Sequence, residues 1–261
     1  MLYLFSTFLL IGLSSIVSTD AFSAVPSNNP VLSREEVQSL LDTVPVYAVT
    51  ESQTGGIVLA SEKDNENNNE IAYFFFNPKT ANSVFAPLRK KDDDSSWDVS
   101  QFSLGLVWFE LFQSAEKNGV DYRLVPDTRE LAEAQKILSP DDAEPTDYFR
   151  SAYNEIPVFV DLSLRVQGGD GGKKLPMYFS LQDLIDSCQQ ADASERYEPT
   201  INVSNFCTLV EQMQAESDMD FRNVVMVPPS QLLSPDDSNS IQADAKDEPI
   251  TIPTSTDSWD D

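Results

Sequence analysis

Four short blocks occur twice in this chain, in the same order, and that repetition constrains the fold more than any single motif. Val44-Pro45-Val46-Tyr47 resembles Ile156-Pro157-Val158-Phe159, and Phe75-Phe76-Asn77 resembles Tyr178-Phe179-Ser180. Asp98-Val99-Ser100-Gln101-Phe102 pairs with Asn202-Val203-Ser204-Asn205-Phe206, and Arg123-Leu124-Val125-Pro126 with Val225-Met226-Val227-Pro228. Ordered self-similarity is the signature of a duplicated architecture. Each copy reads strand, hairpin, strand, helix, strand, helix, strand. The expected class is therefore α+β, two pseudo-symmetric lobes from an internal duplication, with mainly antiparallel sheets flanked by helices. The spacing between copies changes chiefly at one hairpin connection, Glu62 to Glu70 in the first and Gln167 to Lys174 in the second.

The first lobe is expected over 34–138, an acidic linker over 139–155 and the second lobe over 156–235. Ser33-x-x-Glu36 is a capping box ahead of Val37, Leu40 and Leu41, so the spacing predicts a short amphipathic helix at the start of the first lobe. Pro45 ends it and a strand follows.

Charge sets limits on function. The 261 residues carry 17 Lys+Arg, 43 Asp+Glu and no histidine, a formal net charge of −26. Lack of His excludes Ser-His-Asp and Cys-His relays and every His-ligated metal. A charge of that sign repels phosphate backbones, which argues against a nucleic-acid partner. Cys188 and Cys207 are the two cysteines; their spacing suits neither a disulfide scaffold nor a CxxC redox pair, and buried free thiols are the expectation.

Both ends read differently from the body. Leu2 to Val17 is an apolar run, and residues 1–21 read as a signal peptide too short and too early for a membrane span, so no integral span is expected in the mature chain. Phe22 follows directly, and 22–33 is a short acid-free segment resembling the transit part of the bipartite leaders of algae with complex plastids. Ordinary secretion is the alternative. Residues 236–261 hold eight acids and one base, with Ser, Thr and Pro between them, and read as a disordered acidic tail.

Few features carry chemistry. Gly168-Gly169-Asp170-Gly171-Gly172-Lys173-Lys174 lacks the Ser or Thr of a phosphate loop and joins two strands, so it reads as a turn. The acid clusters Asp92-Asp93-Asp94 and Asp141-Asp142 lack the ligand alternation of a calcium loop. Aromatic residues are more informative. Ile71-Ala72-Tyr73-Phe74-Phe75-Phe76 is apolar on both faces of a strand, so both faces are covered or one lines a groove. The helix from Leu104 carries Val107, Trp108, Leu111 and Ala115 on one stripe and Phe109 and Phe112 on a second. Either that helix lies buried between its sheet and the other lobe, or its wide arc forms a hydrophobic groove. The groove reading takes Phe74, Phe76, Phe109, Phe112 and Phe179 as residues that hold a bound segment.

The order of certain blocks carries a family resemblance. Val44 to Thr50 after a short helix, Tyr73 to Pro78 opening a helix, Tyr122 to Asp127, Ile156 to Phe159, and Leu175 to Phe179 with Asp183-Leu184 resemble the 22-kDa Tic subunit family of chloroplast protein import, over roughly residues 34–230. The resemblance implies two pseudo-symmetric lobes with hydrophobic grooves and a place in the plastid envelope intermembrane space. It implies a chaperone-like, non-enzymatic role, with plastid preproteins, transit peptides and envelope translocon components as partners and neither catalytic residues nor a cofactor. Two other readings stay open: a soluble plastid enzyme using carboxylates, for example Asp161 with Lys173, and an interaction protein working through its acidic tail.

Overall fold

The computed structural model describes residues 29–61, 70–89, 97–114, 119–139, 149–169, 171–192 and 199–230. The leader at 1–21, most of the segment at 22–33 and the tail at 236–261 lie outside the described residues, as do the acids at 92–94 and 141–142.

Each half of the chain threads the same path. Helix α1 (Arg34–Leu41) precedes β1 (Pro45–Glu51), β2 (Ala60–Ser61) and β3 (Glu70–Phe75), then α2 (Pro78–Arg89), β4 (Trp97–Ser103), α3 (Leu104–Val107) with a π-helical turn (Trp108–Phe112), and β5 (Val120–Val125). The second half runs α4 (Thr128–Leu138), β6 (Pro157–Asp161), β7 (Val166–Gln167), β8 (Lys173–Tyr178), α5 (Leu181–Asp192), β9 (Ile201–Asn205), α6 (Phe206–Met213), a 3₁₀ turn (Phe221–Asn223) and β10 (Val224–Val227). In the first sheet β1 lies between β4 and β3, and β5 lies along β3; β6, β9, β8 and β10 repeat this order. The hairpins and flanking pairs are antiparallel, while β3–β5 and β8–β10 are parallel. A parallel neighbour requires a crossover, which β4 with α3 supplies in one lobe and β9 with α6 in the other.

Register identifies which residues correspond. Tyr47 faces Phe75 as Phe159 faces Tyr178, and Phe75 faces Val125 as Tyr178 faces Val227, in agreement with three of the four blocks. The third block is shifted. Pro45 faces Ser103 and Pro157 faces Asn205, so Ser103, and not Gln101, is the counterpart of Asn205. The physical marker is the helix cap: Ser103 accepts the Leu106 N–H at 3.2 Å and Asn205 accepts the Cys207 N–H at 2.9 Å. Phe102 and Phe206 stand on opposite sides of that cap.

Period-2 alternation distributes the apolar residues between layers. Ile71, Tyr73 and Phe75 face outward and pack with Ala81 and Phe85 of α2. Ala72 and Phe74, with Phe76 just beyond the strand, face inward into a cluster shared with Val158, Met177, Phe179 and Phe206 of the second lobe. The outer face of the second sheet buries Phe159 and Tyr178 beneath Leu184 and Cys188 of α5 and Ala134 of α4. Burial of each such ring stabilises by about 1.5–3 kcal/mol. Helix α4, which the sequence groups with the first lobe, packs against β6 and β9 of the second.

The lobes also clasp each other through the turn ahead of each first strand. The Asn154 N–H donates to the Leu124 carbonyl and the Leu124 N–H to Asn154 Oδ1, both at 2.8 Å. Asn154 adopts φ 62°, a left-handed conformation that Asn tolerates well. At the matching place Thr43 Oγ1 donates to the Met226 carbonyl at 3.4 Å. The described glycines of the Gly-rich segment lie in the β7–β8 connection, where the Gly168 N–H donates to the Gly172 carbonyl at 2.7 Å and Gly171 takes φ 83°. Among the described residues no helix is long and apolar enough to cross a membrane.

Candidate functional site

The most distinctive surface is built where α3 loses α-helical geometry. After the Ser103 cap, one turn of α-helix buries Leu104 and Val107, and the chain then widens into the π turn, closed by the Gln113 N–H donating to the Trp108 carbonyl at 2.9 Å. Widening a turn by one residue changes which side chains superpose, and π turns concentrate at functional sites. Here it stacks Trp108 on Phe112, centroids 5.7 Å apart at 12°, and turns Phe109 beneath α1. The sequence stripes are present, but α periodicity alone does not reveal the turn that arranges them. Ala115 lies outside the described residues.

From Phe112 a ladder of rings crosses the lobe boundary. Trp108 meets Phe206 edge-to-face at 5.0 Å, Phe206 lies 6.0 Å from Phe179, and Phe179 stacks on Phe76 at 5.2 Å. Phe74 stands beside it, edge-on to Phe102 at 5.9 Å and 6.4 Å from Phe112. The structure thus brings together all five residues singled out for a groove, but as the lining of a filled furrow. Phe74, Phe76, Phe109 and Phe179 are at most 4% exposed. Phe112 is half-buried, with Leu111, Phe102 and Tyr122 also half-buried against the same cluster. The reason lies in the duplication: the inner faces of two similar sheets are both apolar and cover each other, with Val37 and Leu41 of α1 completing the cover and Arg34 lying over Phe109. The Trp108 indole N–H is buried there without a hydrogen-bond acceptor among the described residues; burial of such a donor is costly.

At the far end of the ladder, Phe76 and Phe179 border a cavity of about 40 Å³ shared with Asn77, Asp127, Arg129, Glu130 and Ser180. Such a space suits water and is too small for an organic ligand. Its polar groups are engaged structurally. Asn77 Nδ2 donates to Asp127 at 2.8 Å, Asp127 caps α4 by accepting the Arg129 N–H at 3.0 Å, and Glu130 caps α5 by accepting the Leu181 N–H at 2.9 Å. Burial pushes the Glu130 carboxyl pKa up, and nearby Asp127 adds to the rise, against the Leu181 hydrogen bond.

Of the two groups considered for catalysis, Asp161 is placed as a brace. Asp161 is 1% exposed and accepts the Ser163 N–H at 2.7 Å and the Thr200 N–H at 2.6 Å, joining two loops. Lys173 sits opposite Gln167 in the hairpin. Neither cysteine is in a disulfide; Cys188 is buried, and burial pushes Cys207 up to about 11, far from the thiolate a nucleophile needs.

Comparison with known proteins adds to this geometry. The profile of the Tic22-like family matches residues 10–239. No curated protein sequence matches at a significant level. Among solved structures, Anabaena Tic22 (protein transport) superposes with a TM-score of 0.62 at 18% identity, covering 77% of this chain and 95% of its own. Tic22 from Plasmodium falciparum gives 0.58 at 20% identity, covering 76% and 93%. Identities this low speak for a shared fold.

Proposed function

The chain belongs to the Tic22-like family, and from that membership we propose that it works in protein import into plastids, holding preproteins without catalysis. The observation that carries this reading is the aromatic surface around Phe112, where a ladder of rings reaches solvent at one end on a chain of net charge −26. Apolar rings suit the apolar face of an unfolded or amphipathic segment, and negative charge draws basic transit sequences toward it. Phe112 is the residue that first meets a client. Phe74, Phe76, Phe109 and Phe179 stand behind it and take part when the furrow opens. The placement of Asp161 in a loop brace supports a binding role over carboxylate chemistry.

The leader fits entry to the plastid, and family membership fits a place in the envelope intermembrane space with translocon components as neighbours. Tagged full-length chain is expected to reach the plastid, and Phe22→Ala to stop short of it; identical distributions of the two would contradict that routing. Client holding is tested by light scattering of an aggregating, basic preprotein. Phe112→Ser leaves a half-buried site, so the fold is expected to survive while suppression of aggregation falls several-fold. Capture should also slow as salt rises from about 0.05 to 0.5 M, because the Debye length shrinks. Undiminished holding by the variant would remove the assignment.

A further inference from the structure

We propose that α1 is a displaceable occupant of the client furrow, and that the furrow takes in its place an amphipathic helix carrying arginine on its rim. This rests on the client-holding reading above and deepens it.

The seating of α1 shows what the furrow accepts. Val37 and Leu41 are wholly buried in the interlobe cluster, and Leu32 precedes them at 4% exposed, the spaced anchors by which a helix lies in a groove. On one side α1 packs along α3, and on the other it reaches β10 of the opposite lobe. Gly105 makes the first contact close: a Cβ there would lie 2.5 Å from the Gln38 carbonyl oxygen and collide with the Asp42 carboxylate. The wall of the furrow is thus cut for the backbone of a passing helix. Its rim selects charge. The Arg34 guanidinium lies 5.1 Å over the Phe109 ring and pairs with Glu110 at 2.7 Å, an aromatic and a carboxylate together presenting the chemistry that recognises arginine.

What holds α1 is also what lets it go. Eight residues are too few for a stable free helix, so its order depends on the furrow. Its ion pairs, Arg34–Glu110 and Glu36–Arg222 at 3.4 Å, lie on rims about half exposed and add little. The strap ahead of it is pinned by the Leu32 N–H to the Met213 carbonyl at 3.0 Å and Asn29 Nδ2 to the Asp218 carbonyl at 2.8 Å. A client helix that competes with α1 gains Phe109 as well as Phe112.

The probe is a fluorescein-labelled synthetic 16-residue helix with Leu at i, i+3, i+4 and i+7 and Arg on the rim, titrated into full-length chain by anisotropy. Val37→Ser, which weakens the seat of α1, is expected to tighten probe binding about tenfold. Adding Gly105→Ala to Val37→Ser should abolish that gain, because the new methyl group obstructs any helix backbone passing there. Equal affinity of wild type and Val37→Ser, or indifference to Gly105→Ala, overturns the proposal. Should Val37→Ser fail to fold, the wild-type chain decides: an unlabelled peptide of residues 29–43 must compete with the probe, and failure to compete overturns it. Client holding by wild type, measured in parallel, separates the two levels. Persistent holding with no response to these changes sinks the displaceable helix alone, whereas absence of holding removes the reading beneath it.

Discussion

Helices α1 and α4 hold the same place in their repeats, immediately ahead of the first strand, yet they serve different layers. Helix α1 drives Val37 and Leu41 into the core between the lobes, while α4 lays Ala134 over the outer face of its own sheet beside α5. Connection length accounts for the difference. Residues 42–44 alone separate α1 from β1, a tether too short to carry the helix round to the outer face, whereas 139–156 separate α4 from β6. Among the described residues, the outer face of the second sheet carries α4 and α5, whereas α2 lies over β1, β3 and β4 of the first, with Tyr153 packed against the same cluster. Duplication copies a fold readily; the linker decides which copy of the leading helix becomes part of a lobe and which becomes a cover.

The largest effects should fall beneath α4. Phe159→Ala empties a site at 0% exposure in the outer core, and a loss of about 3–5 kcal/mol in urea unfolding is expected. Leu41→Ala removes an equally buried side chain from the buried face of α1 itself, but about 2 kcal/mol is expected, with both sheets still unfolding cooperatively. A loss under Leu41→Ala as large as that under Phe159→Ala would make α1 as integral as any strand.

A smaller contrast concerns the cap that α4 supplies to α5. Glu130→Ala strips the Leu181 N–H of its acceptor and should cost about 1 kcal/mol. Glu130→Gln keeps an acceptor and removes a titration. Because burial raises the folded-state pKa of Glu130 above its ordinary 4.5, the favourable contribution of its protonated form is complete below 4.5 and is lost as pH rises through the raised value. Stability of wild type relative to Glu130→Gln should therefore decline from about pH 4 toward neutrality, read from urea midpoints across that range. A constant difference would mean that the carboxyl titrates alike in folded and unfolded chains. Smallest of all is the rim pair on α1. With side chains 51% and 56% exposed, Arg34–Glu110 should yield below about 1 kcal/mol in a double-mutant cycle, fading in high salt.

Much of this was legible in the sequence because it follows from local rules. The capping box forms as expected: Ser33 and Glu36 exchange hydrogen bonds at 3.2 and 2.8 Å. The two-faced segment Ile71–Phe76, β3 and the residue after it, is covered on both sides, as its composition requires. What stayed hidden depends on partners distant in the chain. The apolar arc at Trp108–Phe112 is evident, but whether it faces solvent or Phe206 depends on how two lobes meet. The side on which α4 lands follows from a linker whose path no periodicity encodes. The misaligned third block has a more instructive cause. Matching Phe102 to Phe206 follows aromatic identity, whereas the helix-capping residues Ser103 and Asn205 hold equivalent positions. A cap marks a boundary in the backbone, and an aromatic residue marks only that something apolar lies near.

The most direct measurement is native-state hydrogen exchange of the uncomplexed chain, comparing α1 with the strands beneath it. The Val37 N–H donates to the Ser33 carbonyl at 3.0 Å and the Asp42 N–H to Gln38 at 2.8 Å, so both report the seating of α1. If α1 is a removable cover, these amides exchange through a local opening costing several kcal/mol less than global unfolding, while amides of β1 and β6 wait for the whole fold. If instead the α1 amides exchange only with global unfolding, at the same free energy as the strands, α1 is a fixed part of the core and the furrow it fills is never offered to a client.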